Sequence, residues 1–179
     1  MASTLKVNTI AHSGGTNAMT IDSSGNATFA QRVLHPQLPI ACVTLTTSNT
    51  QDGTLPYSTT NADMLFDKVT INRGSVYNAS NGRFTAPITG LYRFKYTFLA
   101  DDDSSANVTY FHVYKNGTAY QEAGGASYTQ AGATTYSVAT NETLVNLNAT
   151  DYLTLRLQGG AIYIDAGGVY HSVHFELVG

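Results

Sequence analysis

The clearest alternation of apolar and polar positions runs from Gly90 to Leu99. There Tyr92, Phe94, Tyr96 and Phe98 fall on one side of an extended chain, and Arg93, Lys95 and Thr97 on the other. A period of two residues is that of a β-strand, so this segment predicts a strand half-buried against a second sheet. Val108 to Lys115 predicts a second aromatic-rich strand, closed by Lys115-Asn116-Gly117. Asn-Gly suits the positive φ angles of a tight hairpin turn. Tyr152 to Leu157 sets Leu153, Leu155 and Leu157 against Tyr152, Thr154 and Arg156, and His171 to Val178 sets Val173, Phe175 and Leu177 against His174 and Glu176. Short strands at this spacing, punctuated by Gly and Asn, predict an all-β sandwich or jelly roll.

The first 31 residues read differently. Leu5 to Ile10, Met19 to Ile21 and Ala27 to Phe29 are strand-like pieces separated by Ser13-Gly14-Gly15 and Ser23-Ser24-Gly25-Asn26. They carry too few large apolar residues for a core of their own, so their order requires packing against sister chains or a larger particle. Residues 32–39 form a joint in which Pro36 and Pro39 hold the preceding residues extended. The expected organisation is therefore a short extended β anchor over 1–31, a neck over 32–39 and a head over 40–179.

Composition supports strands and turns over helices. The 179 residues include 12 Tyr, 7 Phe and 16 Gly, and only 12% are charged. The net charge of −3 and the absence of any Lys/Arg cluster give no footprint for nucleic acid or for an anionic membrane surface. No apolar run approaches the roughly 18 residues needed to span a bilayer. The start, Met1-Ala2-Ser3-Thr4-Leu5-Lys6, lacks the regions of a secretion signal. The expectation is a protein made in a cytoplasm and released by lysis. Without a secretory route, the Asn-x-Ser/Thr triplets at Asn26, Asn78, Asn107, Asn116, Asn141 and Asn148 are not expected to carry glycans. Cys42 is the single cysteine; within the apolar stretch from Ile40 to Val43 it is expected as a small buried hydrophobe.

Candidate chemistry is sparse. No Gly-x-Ser-x-Gly elbow and no carboxylate pair at motif spacing is present. Asp101-Asp102-Asp103 is the one acidic run; its oxygens are calcium candidates, weighed against a solvated loop. His171 and His174, three apart on a strand, face opposite ways and do not share a metal. Tyr120, Tyr128 and Tyr136 punctuate a Gly/Ala/Ser-rich stretch, a composition suited to adaptable recognition; the alternative is that they cover the sheet or line a subunit axis.

The run Met64-Leu-Phe-Asp-Lys-Val-Thr-Ile-Asn-Arg-Gly-Ser-Val-Tyr77, followed by Asn78 to Phe94 with its Asn81-Gly-Arg-Phe-Thr-Ala-Pro87 and Gly90-Leu-Tyr-Arg-Phe94, resembles the globular head of complement component one, subcomponent q. Tyr114-Lys-Asn-Gly117, Asn148 to Leu155 and His171 to Leu177 extend the resemblance in the same order. It implies a ten-stranded jelly roll of tumour-necrosis-factor type, a homotrimer about an axis lined by apolar and aromatic side chains, loop-borne recognition, no cofactor and no catalysis. The family's collagen-like stalk is missing from this sequence. Ser3 to Ile10 and Ala18 to Phe29 are similar to the amino-terminal segments of tailed-phage virion proteins, notably those of cyanobacterial phages. Together these imply a phage structural protein: a trimeric fibre or knob anchored to other virion proteins through residues 1–31, its head contacting a host-surface glycan or protein. The alternatives are a capsid-decorating or head-fibre knob, and a secreted lectin- or cytokine-like trimeric module. An enzyme ranks last.

Overall fold

The structure is a computed structural model that describes residues 7–11, 14–15, 17–29, 38–46, 61–100, 108–122, 125–130 and 137–179. No helix occurs among them. Backbone contacts divide the chain into residues 1–36 and 37–179.

The first unit is an antiparallel meander of β1 (Thr9–Ala11), β2 (Asn17–Ile21) and β3 (Ala27–Phe29). The turn between β2 and β3 is held by Asp22. Its Oδ1 accepts from the Ser24 and Asn26 amides at 2.9 Å each, and its Oδ2 accepts from Asn26 Nδ2 at 2.9 Å. Those bonds, the Asn26 side chain foremost, hold the Asp22 carboxyl below the usual carboxylate range. Gly25, at φ 84°, supplies the left-handed step of the turn. The expected strand from Leu5 to Ile10 is seen as β1; Leu5 and Lys6 lie outside the described residues.

The second unit is a sandwich of two antiparallel sheets. One has the order β12-β8-β14-β4-β5, from β4 (Ile40–Thr44), β5 (Lys68–Arg73), β8 (Gly90–Ala100), β12 (Ser137–Leu147) and β14 (Ser172–Leu177). The other has the order β10-β9-β13-β7-β6, from β6 (Tyr77–Asn78), β7 (Arg83–Thr85), β9 (Val108–Lys115), β10 (Thr118–Ala119) and β13 (Tyr152–Gly159); β11 (Ala126–Gln130) shares with β10 the free edge of β9. Pro39 already belongs to the sandwich, because its carbonyl accepts from the Leu177 amide at 3.1 Å.

The predicted alternations sort largely as expected, with Thr154 the exception on its strand. Tyr92, Phe94, Tyr96 and Phe98 are wholly buried, as are Leu153, Leu155 and Leu157, while Lys95 is exposed. The rings interlock across the layer: Phe98 stacks on Phe111 at 4.8 Å, Tyr92 on Phe175 at 4.8 Å, and Phe84 meets Phe94 edge-on at 5.2 Å. Phe66 enters this core from a segment that is not a strand, so its backbone has no ladder partner. The Tyr77 hydroxyl replaces one. It accepts from the Phe66 amide at 2.7 Å and donates to the Phe66 carbonyl at 3.0 Å, and burial pushes its pKa up to about 12.

Cys42 departs from expectation. Ala41 and Val43 take the core positions of β4, and Cys42 lies half-buried on the opposite face, its Sγ 3.8 Å from His174 Nε2. Four consecutive apolar residues carry no alternation, and the chain placed the smallest of them, Ala41, inside. His171 is buried against Phe98 at 5.4 Å, while His174 points the other way from β14, as their spacing predicted.

Candidate functional site

The outward face of the six-stranded sheet carries an aromatic ladder. In β9, Phe111 and Val113 turn into the core, so Tyr110, His112 and Tyr114 must turn outward. Tyr110 is 38% exposed and stands edge-on to His112, with ring centroids 6.2 Å apart. Its ring lies over the backbone of β13, because residue 159 is glycine: a Cβ there would stand 2.4 Å from Tyr110 Cε1. Val108, Tyr110, His112, Ala126 and Ser127 line a shallow cavity of about 330 Å³.

The remainder of this face is fixed by polar contacts. The Arg156 guanidinium lies 3.9 Å above the Tyr114 ring, Arg156 Nε donates to Asp63 Oδ1 at 2.6 Å, and Gln158 Nε2 donates to the Tyr114 hydroxyl at 3.2 Å. Asp63 Oδ1 also accepts from the Thr154 hydroxyl at 2.8 Å. That bond is why Thr154, predicted on the polar side of its strand, is nonetheless completely buried. Further along, Arg83 covers the Tyr152 ring at 4.0 Å. Chemically the face offers ring surfaces and neutral hydrogen-bonding groups. Its carboxylate, Asp63, is committed to Arg156 and Thr154, so what remains suits non-covalent recognition.

The outward face of the five-stranded sheet is different. Cross-strand register sets Glu142, Lys95, His174, Cys42 and Ile71 in one row, and Leu144, Arg93, Glu176, Ile40 and Arg73 in the next. Arg93 bridges both glutamates, at 2.9 Å to Glu176 and 3.4 Å to Glu142. The charged centre is flanked by apolar side chains at both margins, Val138 and Leu144 on β12 and Val69 and Ile71 on β5, all exposed.

Of the residues singled out from sequence, Tyr120 packs its ring against the core and donates its hydroxyl to Glu122 Oε2 at 2.6 Å. Burial, then that bond and the Glu122 charge, push its pKa up to about 12. It forms part of the hairpin end, packed against the core. Tyr128 is placed on β11 opposite Tyr110. Tyr136 and the calcium candidates Asp101, Asp102 and Asp103 lie outside the described residues. The Asn116-Gly117 turn forms as expected, at φ 51° and 80°. Asn116 is tied to Asp151 and Tyr152, and its side chain, with the Asn148 amide and Lys115, holds the Asp151 carboxyl below its usual range. Sequence reasoning passed over Tyr110, Tyr114, Arg156 and Asp63. The alternation of β9 carried the signal for the two tyrosines; nothing local marks Asp63, which stands 93 residues from Arg156.

Comparison with known proteins bears on the second unit. The family model described as "C1q domain" matches residues 47–174. Complement C1q tumor necrosis factor-related protein 3 of Mus musculus is 28% identical over 115 residues, covering 61% of this chain and 42% of that protein. Caprin-2 of Danio rerio is 32% identical over 127 residues, covering 71% of this chain and 13% of that protein. The chain thus spans less than half the length of these curated relatives. Among solved structures, the globular domain of zebrafish complement 1qA superposes with a TM-score of 0.58 at 9% identity, covering 79% of this chain and 98% of that one. The Eiger TNF structure from S. frugiperda gives 0.61 at 10%, covering 80% and 94%. At such identities the likeness is one of fold.

Proposed function

Because this chain belongs to the C1q-domain family, we propose that it is a homotrimeric, non-catalytic binding head that grips its target with the aromatic face of the six-stranded sheet. The observation that carries the binding role is the outward ladder of Tyr110, exposed, with His112 and Tyr114, half-buried, held by Gly159, Gln158 and Arg156. Exposed rings that are already fixed lose little conformational freedom on contact. The five-stranded face is assigned to subunit association. Apolar groups at its two opposite margins suit a head-to-tail contact, which closes into a ring under threefold rotation. Residues 1–31 attach the head to a larger particle, a phage virion, and the head meets a glycan or protein of the host surface. Support for the virion is the sequence pattern of Ser3 to Ile10 and Ala18 to Phe29, read as resembling the amino-terminal segments of such proteins.

Light scattering of the full chain tests the trimer, and a clean monomer at micromolar concentration refutes it. Labelled antibody on particles, seen by electron microscopy, separates a tail fibre from a capsid-decorating knob and from no particle at all. Binding to host envelope material is expected to fall at least tenfold in Tyr110→Ala, about 1.4 kcal/mol. A second reading, a secreted lectin- or cytokine-like module, is favoured by the likeness to complement C1q tumor necrosis factor-related protein 3. A leader peptide encoded directly upstream of Met1 would favour it over the virion.

A further inference from the structure

The amino-terminal meander is amphipathic in a way its sequence does not announce. Met19 pairs with Ile10 on one side and Phe29 on the other, and Ile21 pairs with Ala27. Residues directly opposite across a ladder point to the same face, so Ile10, Met19, Ile21, Ala27 and Phe29 form one apolar face. Thr9, Thr20 and Thr28 pair in a row on the other. Among the described residues of this unit the apolar side stays open at its outer strands: Ile10 is 47% and Phe29 52% exposed. Three strands of this length are stable only when their apolar face is buried.

We infer that the cover is the same face of two further copies, so that three meanders pack about a common axis with Ile10, Met19 and Phe29 inside and the threonine row outside. This rests on the trimeric head proposed above. Three observations favour sister chains as the occupant. Within the described residues of this unit the only charge is Asp22, which sits in a turn on its own hydrogen bonds, so three copies converge without like charges on the packed face. A trimeric head delivers exactly as many copies as three inward faces require. The link from Phe29 to Ile40 is also short: eleven residue steps reach at most about 40 Å. A tether of that length keeps the segments at roughly millimolar effective concentration. The threonine face then remains for the particle.

The experiment uses the full chain with Cys42→Ser as background, because the half-buried Cys42 thiol would otherwise be a second site for the reagent. Met19→Cys and Thr20→Cys variants are treated with a bis-maleimide spanning the roughly 10 Å between packed sheets. Met19→Cys is expected to link efficiently. Three thiols about one axis pair two at a time, so about two thirds of the chains run as dimer. Thr20→Cys is expected to stay largely unlinked. Phe29→Asp, added to Met19→Cys, is expected to abolish linking while light scattering still reports a trimer. If Met19→Cys stays unlinked in a chain whose mass is trimeric, or if Thr20→Cys links equally well, the inference is overturned. If the unmodified chain is monomeric, the trimeric head itself is refuted and the inference with it.

Discussion

Truncating Phe98 to alanine tests the sandwich most directly. The ring is wholly buried and touches four others: Phe111 at 4.8 Å and Phe66 at 6.3 Å, both stacked, Tyr96 at 5.9 Å and His171 at 5.4 Å. Phe→Ala in a packed core costs about 3–5 kcal/mol through lost transfer energy and the cavity left behind. Aromatic pairs add roughly 0.5–1.5 kcal/mol beyond area. With two stacked partners stranded at once, the upper end, about 5 kcal/mol, is expected. For a unit of residues 37–179, 1 kcal/mol moves the melting temperature by roughly 3–4 °C, so the midpoint should fall by about 15–20 °C. Thermal unfolding followed by circular dichroism reads this, with urea denaturation as a second measure. Phe98→Leu, which keeps most of the volume, should cost only about 1–1.5 kcal/mol. Val169→Ala, at a side chain 73% exposed outside both sheets, should stay within about 0.5 kcal/mol. A Phe98→Ala protein melting within about 5 °C of the parent would refute the reasoning, because the ring could not then be in the core.

Tyr77→Phe should cost about 2–3 kcal/mol in urea denaturation with an unchanged slope, since it strands the buried amide and carbonyl of Phe66. The His171 imidazole is held below its ordinary pKa, chiefly by burial, against the raising influence of the Tyr163 backbone and Asp165. Its native pKa lies below the unfolded value of about 6.5. Above that value both states are neutral and the stabilisation is complete; as pH falls below it the unfolded chain takes up a proton first, and stability is lost until the native pKa is passed. Melting measured from pH 8 to 5 should show this decline, and His171→Phe should flatten it. Gly117→Ala forces a side chain onto φ 80° and should cost about 1–2 kcal/mol by thermal unfolding.

What could be read from sequence follows from where each signal resides. The alternation of β8 is a property of ten adjacent residues, and each ring it assigned inward is buried. The Asn116-Gly117 hairpin is likewise local, because two φ angles determine it. Cys42 was misplaced because the apolar run from Ile40 to Val43 holds no alternation, and a register shift between Cys42 and Val43 breaks the period further. β5 is exposed along its whole length, so its residues reveal strand character without a burial side. The proposed recognition face is assembled from β9, β13 and the segment around Asp63, and only the β9 part repeats within one window. The glycine-rich neighbours of Tyr120 carry no sign of its long-range packing, which places its ring against the core and its hydroxyl on Glu122.

The strand order of the five-stranded sheet has a consequence for synthesis. β14, the final strand of the described chain, sits between β8 and β4, and its Phe175 fills the gap among Tyr92, Phe84 and Phe94. A ribosome therefore delivers β4 and β8 long before the strand that joins them, and both wait as open edges prone to pairing with neighbouring nascent chains. A stop codon just before Ser172 deletes the middle of a sheet. It should be as damaging as a stop near Gly90, with the product found among insoluble material.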